Sequence, residues 1–166
     1  MMANFSKASI GQFSKALAPG GSGRVLCFGA AGVEIAQNTR SGHGPQVILI
    51  CPDLTAADSF QSRRDITVHV AWVAEDAEGT ARYRRYNLSH FASSRSPTGL
   101  QALYPGLRQA QTVDVEVKRL DALISPLDFP LGEDHLLVLD AGGEEMQILD
   151  QLLIGGLVHR FSEAEI

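Results

Sequence analysis

Two glycines follow a short apolar run in Val25-Leu-Cys-Phe28-Gly29-Ala-Ala-Gly32. A glycine turn between a buried strand and a helix lets backbone amides come close to a ligand, and the helix start then offers N–H donors to it. The same turn is a plain structural need in many folds, so both readings stand. Asp140 closes the apolar run Leu136-Leu-Val-Leu139, where a catalytic or substrate-binding carboxylate would be placed. A turn acid satisfied by the amides of Gly142 and Gly143 is the other reading of that residue. Asp53 follows Cys51 and Pro52 and can accept from ligand hydroxyls, or it can N-cap the next helix, the preferred reading. Glu145 falls at a helix start, where the helix dipole favours a negative charge, and reads as a cap.

Other constellations carry less. Arg82-Tyr-Arg-Arg-Tyr86 is the densest basic cluster, with Arg82, Arg84 and Tyr86 on one strand face and Tyr83 and Arg85 on the other. It can grip a phosphate or acidic partner, but reads first as a solvated hairpin. Cys27 and Cys51 lie inside apolar runs and read as buried, inert thiols on neighbouring strands. His43, His69, His90, His135 and His159 are scattered without metal-ligand spacing. No G-x-S-x-G turn presents a nucleophilic serine.

The elements that must position these residues alternate. An amphipathic helix is expected over 4–17, stopped by Pro19 and the glycines after it. Strands are expected over 25–28, 47–51, 66–73, 113–117 and 136–139, with helices over 33–38, 54–62, 120–124 and 144–153. A turn at 76–79 followed by a strand over 80–88 suggests a hairpin. Residues 89–111 read as an irregular excursion with one helical turn, and a last strand over 157–161. Nearly continuous apolar strands alternating with helices indicate an α/β, mainly parallel sheet with helices on both faces. The expected organisation is one domain over 1–166, with a lead-in helix over 1–20 and a core over 24–156.

Composition narrows the function classes. With 166 residues, 45% hydrophobic and 20% charged, the chain can bury one real core. A net charge of −5 gives no attraction to nucleic acid or to an anionic membrane. No apolar run approaches the roughly 20 residues that span a bilayer, and the start reads as no secretory signal. A reduced, cytoplasmic location is the expectation.

The resemblance comes from two segments. Val115-Glu-Val-Lys-Arg-Leu-Asp-Ala-Leu123 and Leu136-Leu-Val-Leu-Asp-Ala-Gly-Gly-Glu-Glu-Met-Gln-Ile-Leu149 together resemble the paired signature of FkbM-type methyltransferases, a "V-x-V-x-x-LD-x-L" segment before a strand like "LLKIDVEGAELEVL". Leu120, Asp121 and Leu123 match the first piece, and Leu137, Asp140, Gly143, Glu145 and Leu149 the second. Gly29-Ala30 is similar to the family's "D-x-GA-N-x-G" turn and Pro52 to its "EP". Asp76 to Tyr83 is similar to its "D-x-x-G-x-x-x-F" hairpin, and Ser93-Ser94 to the serine pair beyond. The likeness covers about residues 24–153.

This resemblance implies a Rossmann-like class I fold for S-adenosylmethionine, with methyl transfer to a hydroxyl of a sugar or similar small acceptor. Several anchors depart from it. Cys27 stands where the family has an acid in the first strand, and Cys51 where an acid closes the second and holds both ribose hydroxyls. Sulfur is a weak acceptor, and losing a charge-assisted bond there costs about 1.5–3 kcal/mol, roughly 10- to 150-fold in affinity. The glycine turn is one residue short, and "DVEG" has become Asp140-Ala-Gly-Gly143. The last antiparallel hairpin of the fold is expected to be missing.

The expectation is a catalytically degenerate FkbM-like domain acting as a binding or assembly component, with no cofactor, no nucleic acid and no membrane. A protein partner or second copy would dock on its C-terminal sheet edge. The alternative is an active S-adenosylmethionine-dependent O-methyltransferase. Gly29, Ala30, Gly32, Cys51 and Asp53 would then hold the cofactor, and Asp140 would lie near the acceptor.

Overall fold

The computed structural model describes residues 23–39, 44–74, 79–88, 91–95 and 99–166. The helix expected over 4–17 lies outside them. Among the described residues, eight strands run β1 (Arg24–Phe28), β2 (Gln46–Cys51), β3 (Ile66–Val70), β4 (Trp72–Val73), β5 (Gly79–Tyr86), β6 (Gln109–Lys118), β7 (His135–Val138) and β8 (Phe161–Glu165). Among the same residues five α-helices intervene, α1 (Gly29–Asn38), α2 (Leu54–Phe60), α3 (Leu100–Leu103), α4 (Leu120–Ile124) and α5 (Glu145–Ile154), and a 3-10 turn covers Val158–Arg160.

Five strands form a parallel sheet in the order β3-β2-β1-β7-β8. Its central strands are apolar throughout because both faces are covered. Val25, Cys27, Val47, Leu49, Leu136 and Val138 pack on one side with Ile35 and Ala36 of α1 and Phe60 of α2. Leu26, Phe28, Ile48, Ile50, Leu137 and Leu139 pack on the other with Leu120 and Leu123 of α4 and Ile148 and Leu152 of α5. Each such buried aliphatic contributes roughly 1.5–3 kcal/mol by leaving water. The result is an α/β layering compatible with a Rossmann-like fold, with its crossover point between β1 and β7.

The expected single strand over 66–73 divides at Ala71. Ala71 still donates its amide to Cys51 O at 3.2 Å, but Trp72 and Val73 already pair with Val117 and Lys118 of β6. The chain thus passes from the large sheet into a second one, ordered β4-β6-β5. The expected hairpin between the 66–73 strand and the 80–88 strand does not form. β5 pairs antiparallel with β6 instead, because β6 inserts between β4 and β5. This small sheet has its own core of Trp72, Tyr83, Val115 and Val117, with the Trp72 and Tyr83 rings 5.6 Å apart.

The last strand also differs, starting at Phe161 instead of Leu157. Leu157 donates its amide to Leu152 O and Gly156 to Leu153 O, with Gly156 at φ +68. That is the Schellman way of ending a helix, and a 3-10 turn over Val158–Arg160 follows it, so together they take the residues assigned to the strand up to Arg160. β8 then lies parallel to β7 at the edge of the sheet. No helix among the described residues is long and apolar enough to cross a membrane.

Candidate functional site

A cleft of about 430 Å³ opens at the carboxyl ends of β1 and β2. Gly29, Ala30, Cys51 and Asp53, four of the residues singled out in the sequence, line it. Gly32 does not. It sits one turn into α1, buried against the sheet, where an added Cβ would lie 2.8 Å from Leu49 Cδ1 and 3.0 Å from Cys27 Cβ and Sγ. Its smallness serves close packing of helix on strand, not approach to a ligand.

Asp140 has a third role beside the two expected of it. α1 begins directly at Gly29, and its N-cap residue, Phe28, has no side chain able to accept a hydrogen bond. The Asp140 carboxylate, arriving from the end of β7, accepts from the Ala31 amide at 2.9 Å and does that work. Gly29, at φ +67, lies against the Asp140 carbonyl, which an added Cβ would approach to 1.8 Å. The amides after Asp140 turn elsewhere: Ala141 and Gly143 donate to Glu145 Oε1 at 2.9 and 3.1 Å. Glu145 therefore closes the loop before α5, and its charge lies in the first turn of that helix, where the dipole favours it.

Asp53 is the N-cap of α2, its Oδ1 accepting from the Thr55 amide at 2.9 Å. The same oxygen meets Arg85 Nη2 of β5 in an ion pair. The pair spans the cleft from the large sheet to the small one. Both side chains remain partly exposed, 27% for Arg85 and 40% for Asp53, so the attraction is screened.

The two thiols are neutral at physiological pH. Burial pushes the Cys51 thiol up to about 11, helped by the nearby Asp53 carboxylate and opposed by a backbone contact and Arg85. Cys27 is raised further by complete burial, and its Sγ faces Ile48 O at 3.5 Å and Gly32 O at 3.8 Å. Neither carries the negative charge that would hold ribose hydroxyls. Burial likewise keeps the Tyr83 phenol protonated.

Sequence reasoning missed Glu34, Tyr83, Arg85 and Tyr86 as cleft residues. Strict alternation places Tyr86 opposite Tyr83 and Arg85, but the pairing of β5 with β6 slips between Arg85 and Tyr86. The extra residue of that slip, Ala110, lies on β6, and Tyr86 lines the cleft with the other two. No group of three or more His, Cys, Asp or Glu among the described residues can hold a metal. His135 is fully buried, with Nδ1 accepting from the Arg24 amide and Nε2 against Pro130 O.

Chemically, the arrangement offers hydrogen-bonding groups around one open half-cleft, over β2. Over β1 and β7, the Asp140 carboxylate takes the Ala31 amide in the first turn of α1. No family model matches the chain, and no curated protein or solved structure matches it significantly.

Proposed function

We propose that this chain is a degenerate methyltransferase-like domain of FkbM type, acting as a binding or assembly component without transfer chemistry. The observation that carries this reading is the Asp140–Ala31 hydrogen bond. In doubly wound folds the helix start beside the crossover point receives the polar part of the ligand. Here the chain's own carboxylate takes that donor. Neutral Cys27 and Cys51, in the places of the family's acids, support the same conclusion. The strand order β3-β2-β1-β7-β8 supports the likeness, since it follows the first five positions of a doubly wound sheet.

In this role the outer edge of β8, unpaired among the described residues, is the surface for a protein partner or second copy, because an edge strand presents unpaired backbone groups. Sedimentation at micromolar concentration tests the second copy. A mass of two chains is expected for self-assembly through that edge, and a single-chain mass removes it.

One observation favours the alternative, an S-adenosylmethionine-dependent O-methyltransferase: the cleft over β2 is open, and Gly29, Ala30, Cys51 and Asp53 border it. Calorimetric titration with S-adenosylmethionine and S-adenosylhomocysteine separates the two. The binding-domain reading expects no saturable heat and no thermal shift at 1 mM ligand. A dissociation constant near 10 µM would add about 2.7 kcal/mol of stability at that concentration and would overturn it.

A further inference from the structure

Residues 91–95 lie between the two sheets and are held differently on each side. Toward β5 the fastening is backbone: Arg84 N donates to Ser93 O at 2.8 Å and Ser93 N to Arg84 O at 3.1 Å. Arg84 Nη1 adds a bond to Ser94 O at 2.6 Å. Toward the turn after β7 the fastening comes from side chains. Ser93 Oγ donates to Gly142 O at 2.7 Å, and Arg95 Nε and Nη2 meet Glu144 Oε1 and Oε2 at 2.6 and 2.8 Å. Gly142, at φ +62, lets the segment lie this close, since a Cβ there would come within 2.7 Å of Ala92 O.

The ion pair is lopsided. The Glu144 side chain is 8% exposed and the Arg95 side chain 60%. A nearly buried carboxylate thus depends on a partner that solvent can reach. Without Arg95 its charge is unpaired unless the segment lifts and water enters. Ala92 of the segment forms one wall of a hollow of about 20 Å³, room for one water, bordered also by Trp72, Asp140 and Ile148. This hollow and the 430 Å³ cleft share Gly29, Pro52, Tyr83 and Ala92 as walls.

We propose that residues 91–95 form a lid, hinged on β5 and latched by Arg95 and Ser93 to the turn after β7. Opening it joins the hollow to the cleft, making one elongated space from Asp53 and Arg85 to Trp72.

Trp72 is the only tryptophan, 7% exposed, and reports on the hollow directly. Acrylamide quenching of its fluorescence is compared in the parent protein, Arg95→Ala and Ser93→Ala. Both variants are expected to raise the quenching constant roughly twofold or more, as a locally opened segment admits the quencher. Hydrogen exchange at the Arg84 and Ser93 amides, which form the hinge, is expected to stay as slow as in the parent protein, as at Leu26 and Ile48. Arg95→Lys, which keeps the charge but not the two-pronged geometry, falls between in quenching. The lid is overturned if Trp72 stays equally shielded in both alanine variants. It is also overturned if all amides quicken together, which marks a latch that merely supports the whole fold.

Discussion

Asp140 at the end of β7 and Ala31 in the first turn of α1 are joined by a 2.9 Å hydrogen bond across 109 residues of sequence. The bond caps a helix whose own N-cap residue, Phe28, cannot. It also ties two central strands of the large sheet together at the end where a ligand would enter.

Replacing Asp140 with alanine removes that cap. The expected loss is about 1 kcal/mol, within the range for N-cap deletions. Urea unfolding monitored by circular dichroism measures it. A carboxylate kept for function at the expense of stability would give the opposite result, an unchanged or more stable Asp140→Ala variant.

Asp53 separates its two contacts by substitution. Asparagine caps a helix as well as aspartate but cannot pair with Arg85, so Asp53→Asn is expected to cost only a few tenths of a kcal/mol, roughly the worth of a screened ion pair. Asp53→Ala loses both contacts and is expected to cost about 1 kcal/mol. Equal losses in the two variants would mean that the Arg85 pair, and not the cap, dominates.

The glycines of the turn are ranked by what a methyl group meets. At Gly32 the gain in helix propensity, up to about 1 kcal/mol, opposes overlap with Leu49 and Cys27. Overpacking of this kind costs typically about 1–3 kcal/mol, so Gly32→Ala is expected to be a net loss. Gly29→Ala should be worse, because both the positive φ and the Asp140 carbonyl oppose it. Melting temperatures of the two variants give the order.

The buried thiols set an alkaline limit. Cys51 is raised from 9.0 to about 11 in the folded chain, and Cys27 is raised further. Their stabilising contribution is full below pH 9, where folded and unfolded thiols are both protonated. It falls as pH rises from there through the folded value, since the unfolded state then releases protons first. Each thiol contributes a slope of at most about 1.4 kcal/mol per pH unit. Urea midpoints between pH 7 and 10.5 should decline above 9, and Cys51→Ala should flatten that decline. An identical slope in the variant would assign it to other groups.

Much of the large sheet could be read from residue order. Val25 to Phe28, Val47 to Cys51 and Leu136 to Leu139 stand out because strands covered on both faces admit few polar residues. The ends of those strands also locate the cleft, which is why Gly29, Ala30, Cys51 and Asp53 were legible. What escaped depends on distant pairing. Arg85 and Tyr83 reach the cleft because β6, beginning more than twenty residues beyond β5, slides in beside it. The bulge at Ala110 of β6, and the Schellman turn at Gly156 with the 3-10 turn after it, are local geometry that simple periodicity does not encode. The Asp140–Ala31 bond requires knowing that β1 and β7 are neighbours.

Amide chemical-shift mapping with 1 mM S-adenosylhomocysteine tests the central claim most directly. With the start of α1 already capped by Asp140, the resonances of Gly29 to Gly32 are expected to stay in place. Large, saturable shifts at those amides together with Asp53 would contradict the claim and identify a working cofactor site.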